Sequence, residues 1–276
     1  MKIATIKISN PDKVLFPREK INKIDLINYY IEVSTLMLPY IENRLLSVIR
    51  CHDKVGGEMF FKKHPSADKD MVEVYHDGDE EYFYIKDQSQ LVYQVQMGTI
   101  EFHPWGSLVS KINKPDVMIF DLDPDDKLSL ENLREAVLNV KNVLEELSLQ
   151  SFLKTSGGKG YHIVVPFSET KDWESFYCFA KQIALLVEGK WPNLFTTNIR
   201  KAERKGKIFV DFLRNNRGST CVAPFSVRAR EGASISMPID WKTLGVITPN
   251  EVDIKNYKNY LNDGWKSYFK VKQVLK

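Results

Sequence analysis

The chain has 276 residues and a formal net charge of +3, with 43% hydrophobic and 27% charged residues. These proportions are ordinary for a soluble globular protein, and the charge is too small to indicate nucleic-acid binding by itself. No apolar stretch approaches the roughly 20 residues of a membrane-spanning helix and no signal-peptide core is present, so we expect a cytoplasmic protein. Cys51, Cys178 and Cys221 are odd in number and widely spaced, which favours reduced packing residues over a zinc site.

The spacing of apolar residues predicts many strands and few helices. In chain order we expect a strand within 1–16, a helix at 22–31, two strands within 44–63, strands at 72–75 and 81–85, a helix at 91–97, strands at 99–102 and 117–122, a helix at 128–147, a hairpin of 152–155 and 161–166, a helix at 173–188, and strands at 208–213 and 221–227. Asn22 is a plausible N-cap of the first helix. Because strand runs follow strand runs and no linker divides the sequence, the expected class is α+β rather than a regular βαβ repeat.

Two aspartates follow the apolar run at 117–120, as Asp121-Leu122-Asp123-Pro124. Side chains two residues apart on a strand point to the same face. Two such carboxylates repel each other unless a cation lies between them, so the pair indicates a divalent-metal site. A plain strand end, with the aspartates capping the following turn, explains these residues equally well when they are considered alone.

A third carboxylate, Asp211, lies within the apolar run at 209–213. A buried carboxylate without a partner is costly, so Asp211 needs a neighbouring group or a cation. Three strand-borne acids at one site would suit two divalent cations roughly 3.5–4 Å apart, which is the arrangement of many phosphoryl-transfer and nucleotidyl-transfer sites. Carboxylate ligands alone do not distinguish Mn²⁺ from Mg²⁺.

A glycine-rich turn at 156–162 carries Ser156, Lys159 and His162. Backbone N–H groups together with these side chains suit a polyphosphate. The turn lacks the GxxxxGK[ST] pattern and leads into a strand rather than a helix, so it is neither a Walker A loop nor a dinucleotide fingerprint. The alternative is an ordinary glycine turn.

Positive charge is concentrated in residues 200–231, which hold nine Lys and Arg against three acids. A solvated charged face is the ordinary explanation of such a segment. Arg228 and Arg230, however, are expected on one side of an extended stretch at 226–230, where guanidinium groups would bind phosphates bidentately.

Two aromatic segments give weaker indications. His103 lies beside Phe102 and Trp105, on a strand that we expect next to the strand of Asp121, and a structural role is as well supported as a functional one. Phe60 and Phe61 precede two lysines, and an exposed ring at this position could stack on a base.

Taken together, these motifs resemble the polymerase domain of bacterial ATP-dependent DNA ligase D, in the archaeo-eukaryotic primase superfamily. The matching motifs are Asp-Leu-Asp-Pro at 121–124, Ser-Gly-Gly-Lys-Gly-Tyr-His at 156–162, Asp-Phe-Leu-Arg-Asn at 211–215 and Ala-Pro-Phe-Ser-Val-Arg-Ala-Arg at 223–230. The resemblance runs from residue 10 to about residue 241. It implies a single primase-polymerase domain over 1–276, with mainly antiparallel sheets flanked by helices. Within it, 1–98 would contact the template and a 5′-phosphate, 99–245 would form the catalytic core and 246–276 the tail.

The resemblance also implies roles for individual residues. Asp121, Asp123 and Asp211 would bind two Mn²⁺ or Mg²⁺ ions, and His103 matches a functionally required histidine. The residues implied to bind or support the incoming nucleotide are Ser156, Lys159, His162, Arg228, Arg204, Arg214 and Arg230. The residues implied to contact DNA are Phe60 and Phe61, which would stack on the template near Arg50 and Lys63, and Asn10, Lys13 and Lys23, which would bind a 5′-phosphate across a gap.

The implied activity is template-dependent nucleotidyl transfer that fills gaps and extends ends in non-homologous end joining, with a preference for ribonucleotides. The implied partners are gapped, 3′-overhang or 5′-phosphorylated DNA, NTP or dNTP, Ku and, because the sequence contains no ligase or nuclease segment, a separate ATP-dependent ligase. The implied location is the cytoplasm, at a bacterial or archaeal nucleoid. The alternatives are a stand-alone primase for damage tolerance, a metal-dependent phosphoesterase that uses the same acids, and a non-catalytic DNA-end adaptor.

Overall fold

The computed structural model describes residues 2–3, 6–65 and 71–275, which form four α-helices and fifteen strands. The helices are α1 (Lys23–Ile41), α2 (Gln88–Gln96), α3 (Leu130–Glu146) and α4 (Trp173–Lys190). The strands are β1 (Lys2–Ile3), β2 (Ile6–Lys7), β3 (Val14–Phe16), β4 (Ile21–Asn22), β5 (Leu46–Cys51), β6 (Met59–Lys62), β7 (Glu73–Asp77), β8 (Glu80–Tyr84), β9 (Thr99–Pro104), β10 (Val117–Pro124), β11 (Phe152–Thr155), β12 (Tyr161–Pro166), β13 (Phe195–Thr196), β14 (Ile208–Asp211) and β15 (Pro238–Ile239). The expected α+β class is confirmed, with antiparallel pairing throughout the described strands except between β13 and β14.

A six-stranded sheet forms the centre of the chain, in the order β13-β14-β10-β12-β11-β15. Helices α3 and α4 contact each other and both contact β10, so they cover one face of this sheet. The predicted apolar stripe on α3 is buried, as Leu133, Val137, Val140 and Leu144, because residues three and four apart share one face of a helix. The predicted hairpin is also confirmed, since β11 pairs with β12, which pairs in turn with β10.

A three-stranded sheet, in the order β6-β5-β9, packs against α1 and α2. Helix α1 begins at the predicted N-cap, where Asn22 Oδ1 accepts from the Asp25 backbone N–H at 3.0 Å and Asp25 accepts from the Asn22 N–H at 2.9 Å. The helix continues ten residues beyond its predicted end at 31, because the buried Val33, Met37 and Ile41 extend its apolar face.

A buried ion pair ties the two sheets together. Arg44, just before β5, donates from both terminal nitrogens to the two carboxylate oxygens of Asp116, just before β10, at 2.6 Å each. The two side chains are 7% and 15% exposed. A planar bidentate pair fixes orientation as well as distance, so the distance and the angle between the starts of β5 and β10 are fixed.

Residues 221–227 do not form the predicted strand. Ala223 donates its N–H to the Phe102 carbonyl at 2.8 Å, which attaches this segment to the end of β9. Pro224 has no N–H with which to continue a ladder, and Phe225 has a φ of 65°, in the left-handed region that interrupts a strand. The segment therefore crosses between the two sheets as irregular chain.

Three other expectations also need correction. β9 pairs with β5 rather than with β10, so the strand of His103 does not neighbour the strand of Asp121. Arg228 and Arg230 do not lie on an extended stretch, because the Arg230 N–H turns back to the Arg228 carbonyl at 2.9 Å. Cys178 is exposed, which is wrong for the packing role that we expected.

The N-terminal stretch that we predicted as a strand within 1–16 contains three short strands, β1 to β3, and residues 1, 4 and 5 lie outside the described part. The cysteines at 51, 178 and 221 are free thiols, as expected. Across the described ranges, no helix combines the length and the apolar composition needed to cross a bilayer.

Candidate active site

Three carboxylates meet at the end of the β10–β14 pair. Asp121 lies directly opposite Asp211 across the two antiparallel strands, and Asp123 lies two residues further along the same face. One oxygen from each of the three lies within 4.8 Å of the others. Asp121 and Asp211 are 9% and 6% exposed, whereas Asp123 is exposed at the rim. The sequence-based expectation that the third acid joins the first two is therefore confirmed.

The electrostatics of this cluster favour a cation. Partial desolvation at the rim, together with the charges of Asp121 and Asp211, raises the pKa of Asp123 to about 6. Burial also raises the pKa of Asp211, more than the neighbouring Arg214 lowers it. At Asp121 burial acts in the same direction, but His162 and Arg214 outweigh it and lower the pKa to about 2. Crowded like charges of this kind are relieved when a positive ion is shared between them.

One cation of the chain already lies beside the acids. Arg214 Nε is 3.1 Å from Asp211 Oδ2 and 3.9 Å from Asp121 Oδ2. Its side chain is 43% exposed, so the guanidinium is open to solvent on its other side. The acids offer only hard carboxylate oxygens, and this donor set fits Mg²⁺ or Mn²⁺ without selecting one of them.

The glycine turn between β11 and β12 lies against β10. The Ser156 hydroxyl oxygen accepts the backbone N–H groups of Gly158 and Gly160, at 3.0 and 3.2 Å, and its own hydrogen is a donor for a ligand. A Cβ at position 160 would come within 2.3 Å of the Leu122 carbonyl. Glycine is thus required there, because the turn approaches the strand of the acids too closely for any side chain.

Three basic side chains surround this turn. His162 lies opposite Asp121 in the β10–β12 register, with Nε2 3.2 Å from Asp121 Oδ1. Arg228 Nη1 donates to the Ser156 carbonyl at 2.5 Å, and Arg230 Nη1 would be 2.7 Å from a Cβ at position 158. We call Ser156, His162, Arg228 and Arg230 the basic cradle. Through His162, which pairs with Asp121 in the β10–β12 register, the basic cradle lies beside the acids, as a triphosphate next to a metal site would require.

Glu101 is a functional candidate that the sequence analysis missed. Its carboxylate is 3% exposed and accepts hydrogen bonds from Arg228 Nε at 3.1 Å and from His103 Nε2 at 2.9 Å. His103 is therefore bonded to Glu101 and not to the acids. The signal that would have found Glu101 is the one that pointed to Asp211, a carboxylate inside an apolar strand.

Lys154 was also missed. It is 1% exposed, and its ammonium lies 2.7 Å from His162 Nδ1 on the side opposite Asp121. Cys221 Sγ lies 3.2 Å from the same nitrogen, so this cysteine contacts the site rather than only filling space. Burial lowers the pKa of Lys154 to about 8.

Comparisons with known proteins agree with this geometry. Residues 22–266 match the family model described as LigD, primase-polymerase domain. The chain belongs to this family. Members of the LigD primase-polymerase family are nucleotidyltransferases of the archaeo-eukaryotic primase superfamily.

The relatives of this chain include LigD proteins of non-homologous end joining. The multifunctional LigD of Pseudomonas aeruginosa is 35% identical, in an alignment that covers 99% of this chain and 34% of that protein. The bifunctional LigD of Bacillus subtilis is 31% identical over 86% of this chain and 39% of that protein. The chain thus spans little more than a third of the length of these relatives. The solved polymerase domain of Mycobacterium tuberculosis ligase D, in complex with DNA, superposes with a TM-score of 0.84 at 26% identity, covering 94% of this chain and 95% of that one.

Two residues implied by the LigD resemblance lie at the margin of the site. Lys159 is largely exposed and forms an ion pair with Asp126. Arg204 lies with its guanidinium carbon 3.5 Å from the ring centroid of Phe209, which is opposite Asp123 in the β10–β14 register. Neither residue contacts the acids directly in this structure, so any role in the LigD reaction would depend on substrate.

The aromatic pair that the resemblance implies for template stacking lies on an edge strand of the described sheet. Phe60 and Phe61 are 39% and 62% exposed on β6, and among the described strands β6 pairs with β5 alone. The Lys63 ammonium lies 5.7 Å from the ring centroid of Tyr82. Arg50, by contrast, is 7% exposed and donates to Gln94 at 2.8 Å, so any contact with DNA would come in addition to that bond.

The three N-terminal residues are brought together by backbone hydrogen bonds. Lys13 donates its N–H to the Asn10 carbonyl at 3.2 Å, and the Lys23 N–H donates to the Lys13 carbonyl at 2.8 Å. Burial and the charge of Lys13 both lower the pKa of Lys23. Two ammonium groups that repel each other in this way would be stabilised by an anion.

Proposed function

We propose that this chain is a template-dependent nucleotidyltransferase that fills gaps and extends DNA ends in non-homologous end joining. The observation that carries the proposal is the convergence of Asp121, Asp123 and Asp211 opposite the basic cradle. Membership of the LigD primase-polymerase family supports it independently.

In the proposed reaction the primer 3′-oxygen attacks the α-phosphorus of the nucleotide, a new phosphodiester bond forms, and the bond to the β-phosphate breaks to release pyrophosphate. The acids Asp121, Asp123 and Asp211 would hold two divalent ions. When bound, such ions make the 3′-hydroxyl more acidic and neutralise the leaving group. The chain itself orients the triphosphate through Ser156, His162 and the arginines of the basic cradle, whose charge-assisted hydrogen bonds are the strong kind.

DNA would be held on the three-stranded sheet and beside the β3–β4 pair. The exposed rings of Phe60 and Phe61 suit stacking on template bases, which is sequence-tolerant because every base has a π-face. The pair of ammonium groups on Lys13 and Lys23, next to Asn10, suits a 5′-phosphate on the far side of a gap. Such contacts to phosphate should weaken with added salt.

The finer assignments come from the family resemblance. They are ribonucleotide preference, Mn²⁺ or Mg²⁺ as the ion in use, cooperation with Ku and an ATP-dependent ligase, and a place in the cytoplasm at the nucleoid. The relatives named above are roughly two to three times as long as this chain.

The experiment is an extension assay with purified protein on gapped, 3′-overhang and unprimed templates, with ribo- or deoxyribonucleotides and Mg²⁺ or Mn²⁺. We expect primer extension that is lost in Asp121→Asn and retained in the control Asp263→Asn, which changes an exposed aspartate paired with Lys266. Release of inorganic phosphate without extension would identify a phosphoesterase instead. DNA binding without any turnover would identify an adaptor.

A further inference from the structure

Glu101 joins two parts of the site that belong to different segments of the chain. It lies in β9, and its carboxylate reaches the irregular segment that carries Arg228. One oxygen, Oε1, accepts from the Ala229 backbone N–H at 2.6 Å, and the other, Oε2, accepts from Arg228 Nε at 3.1 Å and from His103 Nε2 at 2.9 Å. Three donors from two segments therefore converge on a single side chain.

The carboxylate is charged when it makes these bonds. Burial acts to raise its pKa, but the hydrogen bond from His103 and the charge of Arg228 outweigh burial and lower the pKa to about 2. A buried carboxylate is tolerated only when donors satisfy it. The carboxylate in turn fixes the position of each donor, because each one bonds to a charged acceptor in the protein interior.

On the nucleotide side, Glu101 sets the direction of Arg228. Nε of that side chain is held by Glu101, and Nη1 is held by the Ser156 carbonyl at 2.5 Å. A Cβ at position 157 would lie 2.6 Å from Arg228 Cγ, so the side chain crosses directly over the glycine turn. With two nitrogens engaged by the described residues, the plane of the guanidinium is fixed before a phosphate arrives.

On the template side, Glu101 holds His103. Burial lowers the pKa of His103 despite the neighbouring carboxylate, so the neutral ring donates its Nε2 hydrogen to Glu101. The same ring also packs against Phe61, with a centroid separation of 6.2 Å and a T-shaped arrangement. Phe61 is the more exposed ring of the aromatic pair.

We propose that Glu101 is a positioning residue that fixes Arg228 for the triphosphate and His103 beside the template-stacking aromatic pair. This inference rests on the proposed function and adds a residue that acts only through others. Because the same carboxylate oxygen serves both sides, alignment of the template and alignment of the nucleotide are coupled through it.

The test compares Glu101→Gln with the wild type in single-nucleotide gap filling, and binding of ATP with Mg²⁺ is measured in parallel by calorimetry. Glutamine keeps the shape but replaces one accepting oxygen with a donor, so Arg228 loses its fixed direction. We expect KM for the nucleotide to rise at least tenfold, equivalent to about 1.4 kcal/mol, while kcat falls less than threefold. The matched control is Glu145→Gln, which changes an exposed glutamate that pairs with Lys141 on α3, and it should behave as wild type.

A double-mutant cycle separates positioning from a general loss of structure. If Glu101 acts through Arg228, Glu101→Gln combined with Arg228→Ala raises KM no further than Arg228→Ala alone. Multiplying effects, or an unchanged KM in Glu101→Gln, would overturn the proposal. If Glu101→Gln does not fold, His103→Phe takes its place: it leaves Glu101 and the cradle intact, and an unchanged nucleotide KM in it would overturn the coupling. Absence of extension and of ATP binding in the wild type would instead refute the proposed function.

Discussion

We expect replacement of Lys154 by methionine to change the stability of this protein little and to lower its activity strongly. Lys154 Nζ has three neighbours that can accept, namely the Val222 carbonyl at 2.9 Å, Ser236 Oγ at 2.7 Å and His162 Nδ1 at 2.7 Å. The Ser236 hydroxyl donates to the Thr155 carbonyl at 2.8 Å, so its oxygen must accept from the lysine. The substitution removes the donor to all three neighbours and keeps an unbranched side chain in the same space.

The expected change in stability is small because two effects oppose each other. Burial lowers the pKa of Lys154 from 10.5 to about 8, which corresponds to about 3 kcal/mol of cost for the buried charge at neutral pH. Methionine removes that cost but leaves a buried carbonyl and an imidazole nitrogen without their donor, a loss of about 1–3 kcal/mol. We therefore expect the free energy of unfolding to change by less than about 2 kcal/mol.

The pH dependence gives a second, independent signature. Since the folded-state pKa of Lys154 is lowered, the unfolded chain binds more protons between about pH 8 and 10, and the wild type gains stability from this group as pH rises through that window. The Lys154→Met variant lacks this gain. Urea unfolding of both proteins at pH 7 and pH 9.5 measures the difference.

Activity should respond differently from stability. Lys154 contacts Nδ1 of His162, and the other ring nitrogen, Nε2, faces Asp121. Because loss of Lys154 would free the His162 ring, we expect kcat/KM for gap filling to fall at least tenfold. Lys266→Met, at an exposed lysine, is the matched control. A variant that loses more than about 4 kcal/mol of stability, or that extends primers at the wild-type rate, would refute this reasoning.

Three further predictions concern the acids and the DNA surfaces. Asp123→Asn should stabilise the metal-free protein by about 1 kcal/mol above pH 7, a value reduced for solvent exposure. Because the folded-state pKa of Asp123 is raised, this gain in stability should disappear as pH falls from about 6 to about 4. Urea unfolding with a chelator present measures the gain, and a gain that grows as pH falls would contradict the prediction. Phe61→Ala should weaken primer–template binding about tenfold, by about 1–3 kcal/mol of stacking, whereas Phe269→Ala, at a ring of similar exposure outside the site, should not, and fluorescence anisotropy titrations compare the two. Lys13→Ala and Lys23→Ala should each abolish the preference for a gapped substrate with a 5′-phosphate over one with a 5′-hydroxyl, and equal affinities of the wild type for the two substrates would remove the assignment of that pocket.

The parts of the site whose residues lie close together in the chain could be predicted from the sequence. Asp121 and Asp123 share a face because strand side chains alternate. The glycine turn is recognisable because three glycines within four residues are typical of a tight turn. Asp211 was recognised because a carboxylate in an apolar strand requires a partner. The same reasoning applied to Glu101 or Lys154 would have flagged both residues as needing partners. It would not have identified the distant ones, because Arg228 lies 127 positions from Glu101 and Val222 lies 68 positions from Lys154.

The errors have equally physical causes. The segment at 221–227 has the apolar composition of a strand, but Pro224 cannot donate and Phe225 turns the backbone to a φ of 65°. The strand of His103 was assigned to the wrong neighbour because alternation shows which face of a strand is buried and not which strand lies beside it. That choice is made by the long-range packing of the two sheets.

The buried ion pair between Arg44 and Asp116 has a consequence for how a substrate would fit. It joins residues that lie just before β5 and β10, whereas Asp121 and Asp123 lie about 15–25 Å further along β10, so the ion pair braces both sheets at a distance from the acids. With such a brace in place, we expect the proposed stacking surface and the three acids to keep one spacing when DNA binds. In the proposed end-joining reaction, the bending and fraying needed for a mismatched or damaged end would then fall on the nucleic acid, and we expect a weakened brace to broaden the range of ends that are extended.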